Sequence, residues 1–296
     1  VSPPELAVVG EAFEDLVFYG LPRLPRPGEE LRTERFLHTV GGGVVITGLG
    51  AARLGLRTVV VSALSPAAVE MLSAARVALV DLRRRHEPPA VSVALSVPGD
   101  RSFVTFEGVN RRLEARLARA IPRLRARHVH LALGPTDATL WVRLLRRLHA
   151  RGVTTSLDAG WQRNVRAVAA LAAQVDYVML NEREAMRYSG RPTLAAAVTH
   201  WKGHARNAII KLGPRGSRWV SEQRDLSAPA PRVAVVDTTG AGDAYNAGFL
   251  FGVLRRRSPT ECLRLGNFVG AMSTRAAGGV GSLPGRRDLP RRRGRR

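Results

Sequence analysis

Cysteine is almost absent from this chain. Cys262 is the only one among 296 residues, so no disulfide can form within it. Lysine is nearly as scarce: only Lys202 and Lys211 occur, and the other 44 of the 46 basic residues are arginine. No apolar run approaches the roughly 20 residues of a membrane-spanning helix. Aromatic residues make up 5% of the chain, too few for a surface that stacks nucleobases. No spacing of cysteine and histidine suits a zinc finger. No Gly-x-x-x-x-Gly-Lys-Ser/Thr is present, which excludes a P-loop phosphate site. The opening VSPPELAVVGEAF lacks the basic stretch of a signal peptide. Together these absences set the expectation of a cytoplasmic enzyme with no membrane partner.

The formal charge of +22 points elsewhere, toward polyanions. Its arginines, however, are spread through nearly every segment, which reads as a coding bias rather than a binding stripe. Nucleic acid is therefore not an expected partner. The one concentrated block, RRDLPRRRGRR at 286–296, reads as a solvated, disordered tail.

Against these absences stands a hydrophobic content of 45%, enough for one large core. Short apolar runs alternate with helical spacing. LAVVG, RTVVVSAL, ARHVHLAL, TTSLDAG, DYVML and NAIIKLG read as buried strands. Between them, SPAAVEMLSAA carries Ser65 as cap and Pro66 at the first helical position, and DATLWVRLLRRLHARG is an amphipathic helix stopped by Gly152. Val233 to Val236 reads as the end of a further strand. The pattern predicts an α/β fold, a doubly wound and mostly parallel sheet flanked by helices. Segments 11–40 and 85–108 break the alternation and are expected to form a small β-sheet lid, the second containing a hairpin around Pro98-Gly99-Asp100. Residues 1–285 are thus read as one domain and 286–296 as its tail. His128 and His130 alternate on a strand without a third ligand, and are read as structural.

In such folds ligands bind at the carboxyl ends of the strands. The most informative stretch there is VVDTTGAGDAYNAGF, Val235 to Phe249. Gly240, Ala241 and Gly242 carry no large side chains, so their amides and the helix that follows make an anion site. Asp243 cannot itself bind an anion. A carboxylate beside one suits a base that takes a proton from an attacking hydroxyl. That combination is what phosphoryl transfer to an alcohol needs. The plainer reading of the same spacing, a turn whose aspartate caps a helix, stays open at this point.

DTTGAGDAYNAGF is long and specific, and it resembles the C-terminal signature of the PfkB (ribokinase-like) carbohydrate kinases. GGGVVITGLGAARLG, Gly41 to Gly55, resembles the N-terminal glycine signature of that family, and the likeness extends over about residues 5–290. The resemblance implies a ribokinase-like kinase that uses ATP and Mg²⁺. In it Asp243 is the base and Gly240, Ala241 and Gly242 are the anion hole. Asp15 of GEAFED would bind acceptor hydroxyls, with Gly41, Gly42 and Gly43 beside it. NERE resembles the Asn-x-x-Glu motif, so Asn181 and Glu184 would arrange phosphate and Mg²⁺ through water. KLGPRG resembles the nucleotide loop, which implicates Lys211, Gly213 and Gly216, with the adenine pocket near Asn267 and Gly270. Asp237, Thr239 and Ser282 match positions that hold a monovalent cation, K⁺, in some members. A homodimer through the lid is a further implication of the resemblance.

Departures fall on the acceptor side. Ile46 stands where the glycine signature carries an asparagine that contacts substrate, and Glu14 also departs from the ribokinase pattern. The segment after VVVSAL is shortened. Asp158 in LDAGWQ stands at a strand end, but the Asp-x-Asn-x-Arg of sugar-acid kinases is absent. Arg101, on the lid hairpin, is placed to reach an acidic group on the acceptor. The expectation is an active kinase for a sugar or sugar derivative other than ribose. A nucleoside kinase of adenosine type is the runner-up, with Phe103 and Phe106 packing a base. A non-catalytic sugar or nucleotide sensor is the third reading.

Overall fold

The computed structural model describes residues 3–98 and 100–290, the side chains of Asp100 and Arg101 excepted. The chain opens with strand β1 (Leu6–Gly10), leaves the main sheet for β2 (Phe13–Phe18) and β3 (Phe36–Gly41), and returns through helix α1 (Gly43–Arg53). It continues with β4 (Thr58–Ser62), α2 (Pro66–Ala74) and β5 (Ala78–Asp81), then a second excursion, β6 (Val91–Val97) and β7 (Asp100–Phe106). Helix α3 (Leu113–Ala120) leads to β8 (His128–Ala132) and α4 (Ala138–His149). Strand β9 (Thr154–Asp158) with α5 (Val165–Ala172) and β10 (Tyr177–Asn181) with α6 (Glu182–Ser189) repeat the unit. Helix α7 (Leu194–His204) and β11 (Ala208–Lys211) precede a hairpin, β12 (Ser217–Ser221) and β13 (Arg224–Ala228). Helices α8 (Ala241–Leu254) and α9 (Pro259–Ser273) close the fold.

The large sheet has the order β13-β12-β11-β10-β9-β8-β1-β4-β5. It is parallel from β5 to β11 and antiparallel across β11, β12 and β13. The apolar runs of β1, β4 and β8 need cover on both faces, as parallel strands do. In β1, Ala7 and Val9 enter one layer with Trp141 and Leu144 of α4, while Leu6 and Val8 enter the other with Val45 of α1 and Phe249 of α8. Each valine, leucine or phenylalanine among them, fully buried, stabilises the fold by about 1.5–3 kcal/mol. His128 and His130 are buried in β8 and bond to Thr154 and Ser156 on β9. Burial pushes them down to about 3 and about 4, so both are neutral and structural.

The lid is a separate sheet of order β3-β2-β6-β7. Its strands lie within segments 11–40 and 85–108 except that β3 runs one residue beyond, to Gly41. The strand expected at Val233 to Val236 is not one. Pro229 and Pro231 lack the N–H groups that a further edge strand would need, so β13 ends the sheet. The chain instead runs as a loop, with the Val236 and Asp237 amides donating to the Thr274 carbonyl at 2.8 and 3.1 Å. The short strand β5 and the β12–β13 hairpin were not anticipated. In the basic C-terminal stretch, Arg286–Asp288 form a short 3-10 turn and Leu289 packs on the core. Residues 291–296 of that stretch lie outside the described residues.

Candidate active site

The loop from Val236 to Gly240 delivers the chain to α8. Gly240 caps that helix in the left-handed region, with φ 69°, a conformation that favours glycine. A side chain there would also meet Ile46, whose Cδ1 lies 2.4 Å from where a Cβ would sit. Asp243 stands in the first turn. The amides of Gly242 and Asp243 have no preceding helical carbonyl to bond and form the positive end of the helix. The Ala241 amide donates to the Thr238 carbonyl at 3.2 Å, closing the turn.

Beneath this helix end lies a buried charge network. Lys211, the last residue of β11, donates from Nζ to Asp158 Oδ2 at 2.6 Å and to Asn246 Oδ1 at 3.4 Å. Asn246 Nδ2 donates to the same Asp158 oxygen at 2.6 Å. The ammonium also lies against Gly242, 3.1 Å from where a Cβ would be. Burial alone would raise Asp158, but Lys211 and Asn246 more than offset it and hold the carboxyl below its ordinary range. Burial opposes the charge on Lys211, yet Asp158 and Glu184 keep it raised and protonated. Asp243 differs: burial, then the Asp158 charge, pushes it up to about 7 against the pull of Lys211. A carboxyl near neutrality is matched to proton transfer at physiological pH.

Facing Asp243 is the glycine turn before α1. A Cβ on Gly43 would sit 2.9 Å from Asp243 Oδ1, and one on Gly41 would sit 1.9 Å from Asp15 Oδ2. Bare backbone thus lets two carboxylates flank one turn. Burial, with the Asp237 charge adding, raises Asp15 to about 7. Ile46 does not reach into this space as a polar group would. It is buried against Gly240 and Gly279. Asp237 and Thr239 are brought together: Asp237 Oδ1 accepts from the Thr239 amide and hydroxyl, and Oδ2 from the Gly278 amide. The Ser282 hydroxyl is engaged elsewhere, donating to the Ser273 carbonyl at 2.9 Å. The Arg101 side chain lies outside the described residues.

On the other side of α8 is a cleft of about 580 Å³, lined by Lys211, Gly213, Gly216, Gly242, Asn267 and Gly270 among others. The glycines of the β11–β12 turn adopt positive φ, 58° and 98°. A Cβ on Gly216 would strike the Ala228 carbonyl at 2.0 Å. Asn267 shapes a wall rather than presenting its amide, since Nδ2 donates to the Ala228 and Pro229 carbonyls at 2.8 and 3.3 Å. Gly270 allows α9 to approach α8, since a Cβ there would sit 3.0 Å from the Ala241 oxygen. Asn181 and Glu184 form a reciprocal capping box at the start of α6. Glu184 is nonetheless buried, and burial with the Asp158 charge raises it to about 7. Asn246 was not singled out from the sequence. Its signal was there: a lone amide three residues after Asp243, on the same face of a helix of small and apolar residues.

The model of the pfkB family of carbohydrate kinases matches residues 3–286. A ribokinase from Arabidopsis thaliana is 26% identical, over 97% of this chain and 80% of its own. The acarbose 7(IV)-phosphotransferase of an Actinoplanes species is 29% identical, over 90% of this chain and 91% of its own. Among solved structures, ribokinase from Giardia lamblia superposes with a TM-score of 0.83 at 17% identity, covering 96% of this chain and 98% of that one. Adenosine kinase from Sinorhizobium meliloti gives 0.78 at 22%, covering 95% and 98%. Among the described residues no helix is long and apolar enough to cross a membrane.

Proposed function

The chain belongs to the pfkB family of carbohydrate kinases, and from that premise we propose that it transfers the terminal phosphoryl group of ATP to a hydroxyl of a sugar-like acceptor. The observation that carries this reading is Asp243, buried in the first turn of α8, raised to about 7, and facing Gly43 and Asp15 across one turn. The acceptor hydroxyl would lie between Asp243 and the helix end, with Asp15 holding a neighbouring hydroxyl. Asp243 takes the proton as the acceptor oxygen bonds to the terminal phosphorus. The bond from that phosphorus to the bridging oxygen breaks, and ADP leaves with the electron pair. Charge on the transferred group is met by the amides of the α8 N-terminus, with Gly240, Ala241 and Gly242 leaving them uncovered. Strong preorganised donors of this kind contribute roughly 3–4 kcal/mol each. Lys211 adds fixed positive charge below. The cleft beyond, past Gly213 and Gly216, takes the nucleotide.

The residues present fit Mg²⁺ bound mainly by phosphate and water. Among the described residues no three His, Cys, Asp or Glu side chains converge as a metal cage. Glu184 is the carboxylate that would orient its water shell. When bound, the ion neutralises charge on the phosphates. A monovalent cation fits less well, because Asp237 already accepts three bonds and the Ser282 hydroxyl is turned away.

A nucleoside acceptor is the second reading, and it rests on the lid aromatics. Phe103 and Phe106 are 51% and 57% exposed. They are three apart on β7 and therefore point to opposite faces, so only one can meet a base in the cleft. ADP release with Mg-ATP against neutral sugars, amino sugars, sugar acids and nucleosides tests the whole reading. Turnover that requires an acceptor is the expected result. Binding of acceptors with no phosphorylated product from any of them would contradict it.

A further inference from the structure

A second cavity, of about 250 Å³, lies at the carboxyl ends of β1, β8 and β9. It adjoins the acceptor side of the site. A Cβ on Gly43 would lie 2.9 Å from Asp243 Oδ1 and 3.0 Å from Ala132 Cβ, and one on Gly42 would lie 2.5 Å from the Glu11 carbonyl. Leu133 and Gly134, which follow Ala132, line the cavity, and so does Glu11. The candidate base, the glycine turn and the ends of β1 and β8 thus share one wall.

The polar groups in this cavity are nearly all acceptors. The Glu11 carboxylate has no hydrogen-bond or ion-pair partner among the described residues. Asn110 is 8% exposed; its Nδ2 donates to the Ala12 carbonyl at 3.1 Å and its Oδ1 is buried with no partner. Gln162 lies flat on Gly134, where a Cβ would sit 1.9 Å from its Cδ, and its Nε2 is engaged by the Ala159 carbonyl at 3.0 Å. Glu114 is already satisfied by Thr136, Asp137 and Trp141. Arg111, the one cation lining the cavity among the described residues, pairs at 3.9 Å with the exposed Glu107 on its own helical turn.

Buried acceptors without donors are costly, and an unpaired carboxylate is the costliest of them. A group that brings only donors and positive charge relieves all of them at once, whereas an anion would face Glu11 with no buried cation to meet it. We propose that this cavity receives an ammonium group of the acceptor, so that the acceptor is an amino sugar and not a sugar acid or sugar phosphate. The identification as an acceptor rests on the phosphotransfer reading; the binding of the ammonium does not.

A proton linkage follows. Burial, with Glu107 and Glu114 adding like charge, raises Glu11 to about 7. Among the described residues, Glu107 and Arg111 on one side and Glu114 on α3 are the charged groups facing it; the loops after β8 and β9 contribute only the neutral Thr136 and Gln162. An ammonium favours the ionised form, so binding below neutrality releases a proton and weakens as pH falls.

The test is calorimetric titration of the full chain with D-glucosamine and D-galactosamine against D-glucose, D-galactose and D-gluconate, with ADP release measured on the same samples. Each amine is expected to bind about ten- to a hundred-fold tighter than its neutral counterpart, with gluconate weakest. Glu11→Gln, which keeps the volume, should erase the preference, while Glu70→Gln, exposed on α2 and outside the cavity, should keep it. Equal or weaker binding of the amines, strongest binding of gluconate, no amine binding, or a preference that survives Glu11→Gln overturns the inference. The wild-type ligand pairs decide it even should the variant not fold. Neutral sugars phosphorylated without an amine preference would sink the inference and leave the kinase standing. Glu11-dependent amine binding without turnover would do the reverse.

Discussion

The two ends of the site are built from different materials. At the α8 end a cation is built in: Lys211 is matched to Asp158, bonds Asn246, and pulls against the burial that raises Asp243 and Glu184 to about 7. At the lid end, among the described residues, none is. Asp15 and Glu11 are both driven to about 7, chiefly by burial, and neither has a cation paired with it there. On the proposed reading the phosphate end carries its cation before any ligand arrives, while the acceptor end depends on donors that the ligand must bring. Rigid preorganisation suits the chemistry, and unmet acceptors suit selection of the substrate.

The sharpest way to break that contrast is to unpair the matched end. Lys211→Met leaves Asp158 buried and uncompensated, and should lower stability by about 3–5 kcal/mol in urea unfolding. Adding Asp158→Asn should restore most of the stability but not turnover. If the single variant is as stable as wild type, the network is not matched as described.

Asp15→Asn at the unmatched end should act in the opposite direction and stabilise the unliganded protein. A carboxyl raised in the folded state holds its proton after the unfolded chain has lost it. Its ionisation therefore costs stability as pH climbs from about 3.8 toward about 7. The gain from Asp15→Asn should be absent below that window and full above it, on the order of 2–4 kcal/mol. Melting temperatures of both proteins across pH check the sign, and a gain that shrinks toward neutrality would refute it.

The pH dependence of kcat/KM should show an acid limb near 7, where Asp243 must lose its proton to act as base. A rate flat from acid to neutral pH would point to another group.

The smallest effect expected is that of Ile46→Val. Ile46 packs on Gly240 and Gly279, so shortening it should cost about 0.5–1.5 kcal/mol in unfolding and leave the order of acceptor preference unchanged. A reordered preference would return Ile46 to the acceptor.

What was legible in the sequence was what local spacing carries. Gly240 to Asp243 lie in four consecutive residues, and Asn181 and Glu184 are three apart, so backbone geometry alone joins them. The alternation of runs such as LAVVG and TTSLDAG with helical segments gave the parallel sheet, and its interruptions gave the lid. The Lys211–Asp158–Asn246 network was not legible as a network, because its bonds span 53, 35 and 88 residues. Val233 to Val236 misled because apolar β-branched residues favour strands only where an edge can receive them, and Pro229 and Pro231 intervene. Glu11 carries no local signal that sets it apart from the other acids near the strand ends. Its isolation emerges only when Asn110, Gly134 and Gln162 enclose it.

Acceptor-dependent ADP release by wild type and Asp243→Asn, side by side, bears most directly on the central claim. The expected result is a loss of 10²–10⁴-fold in the variant with nucleotide affinity kept within a few-fold. Unchanged turnover in Asp243→Asn would remove the base from the mechanism and with it the functional reading of the α8 turn.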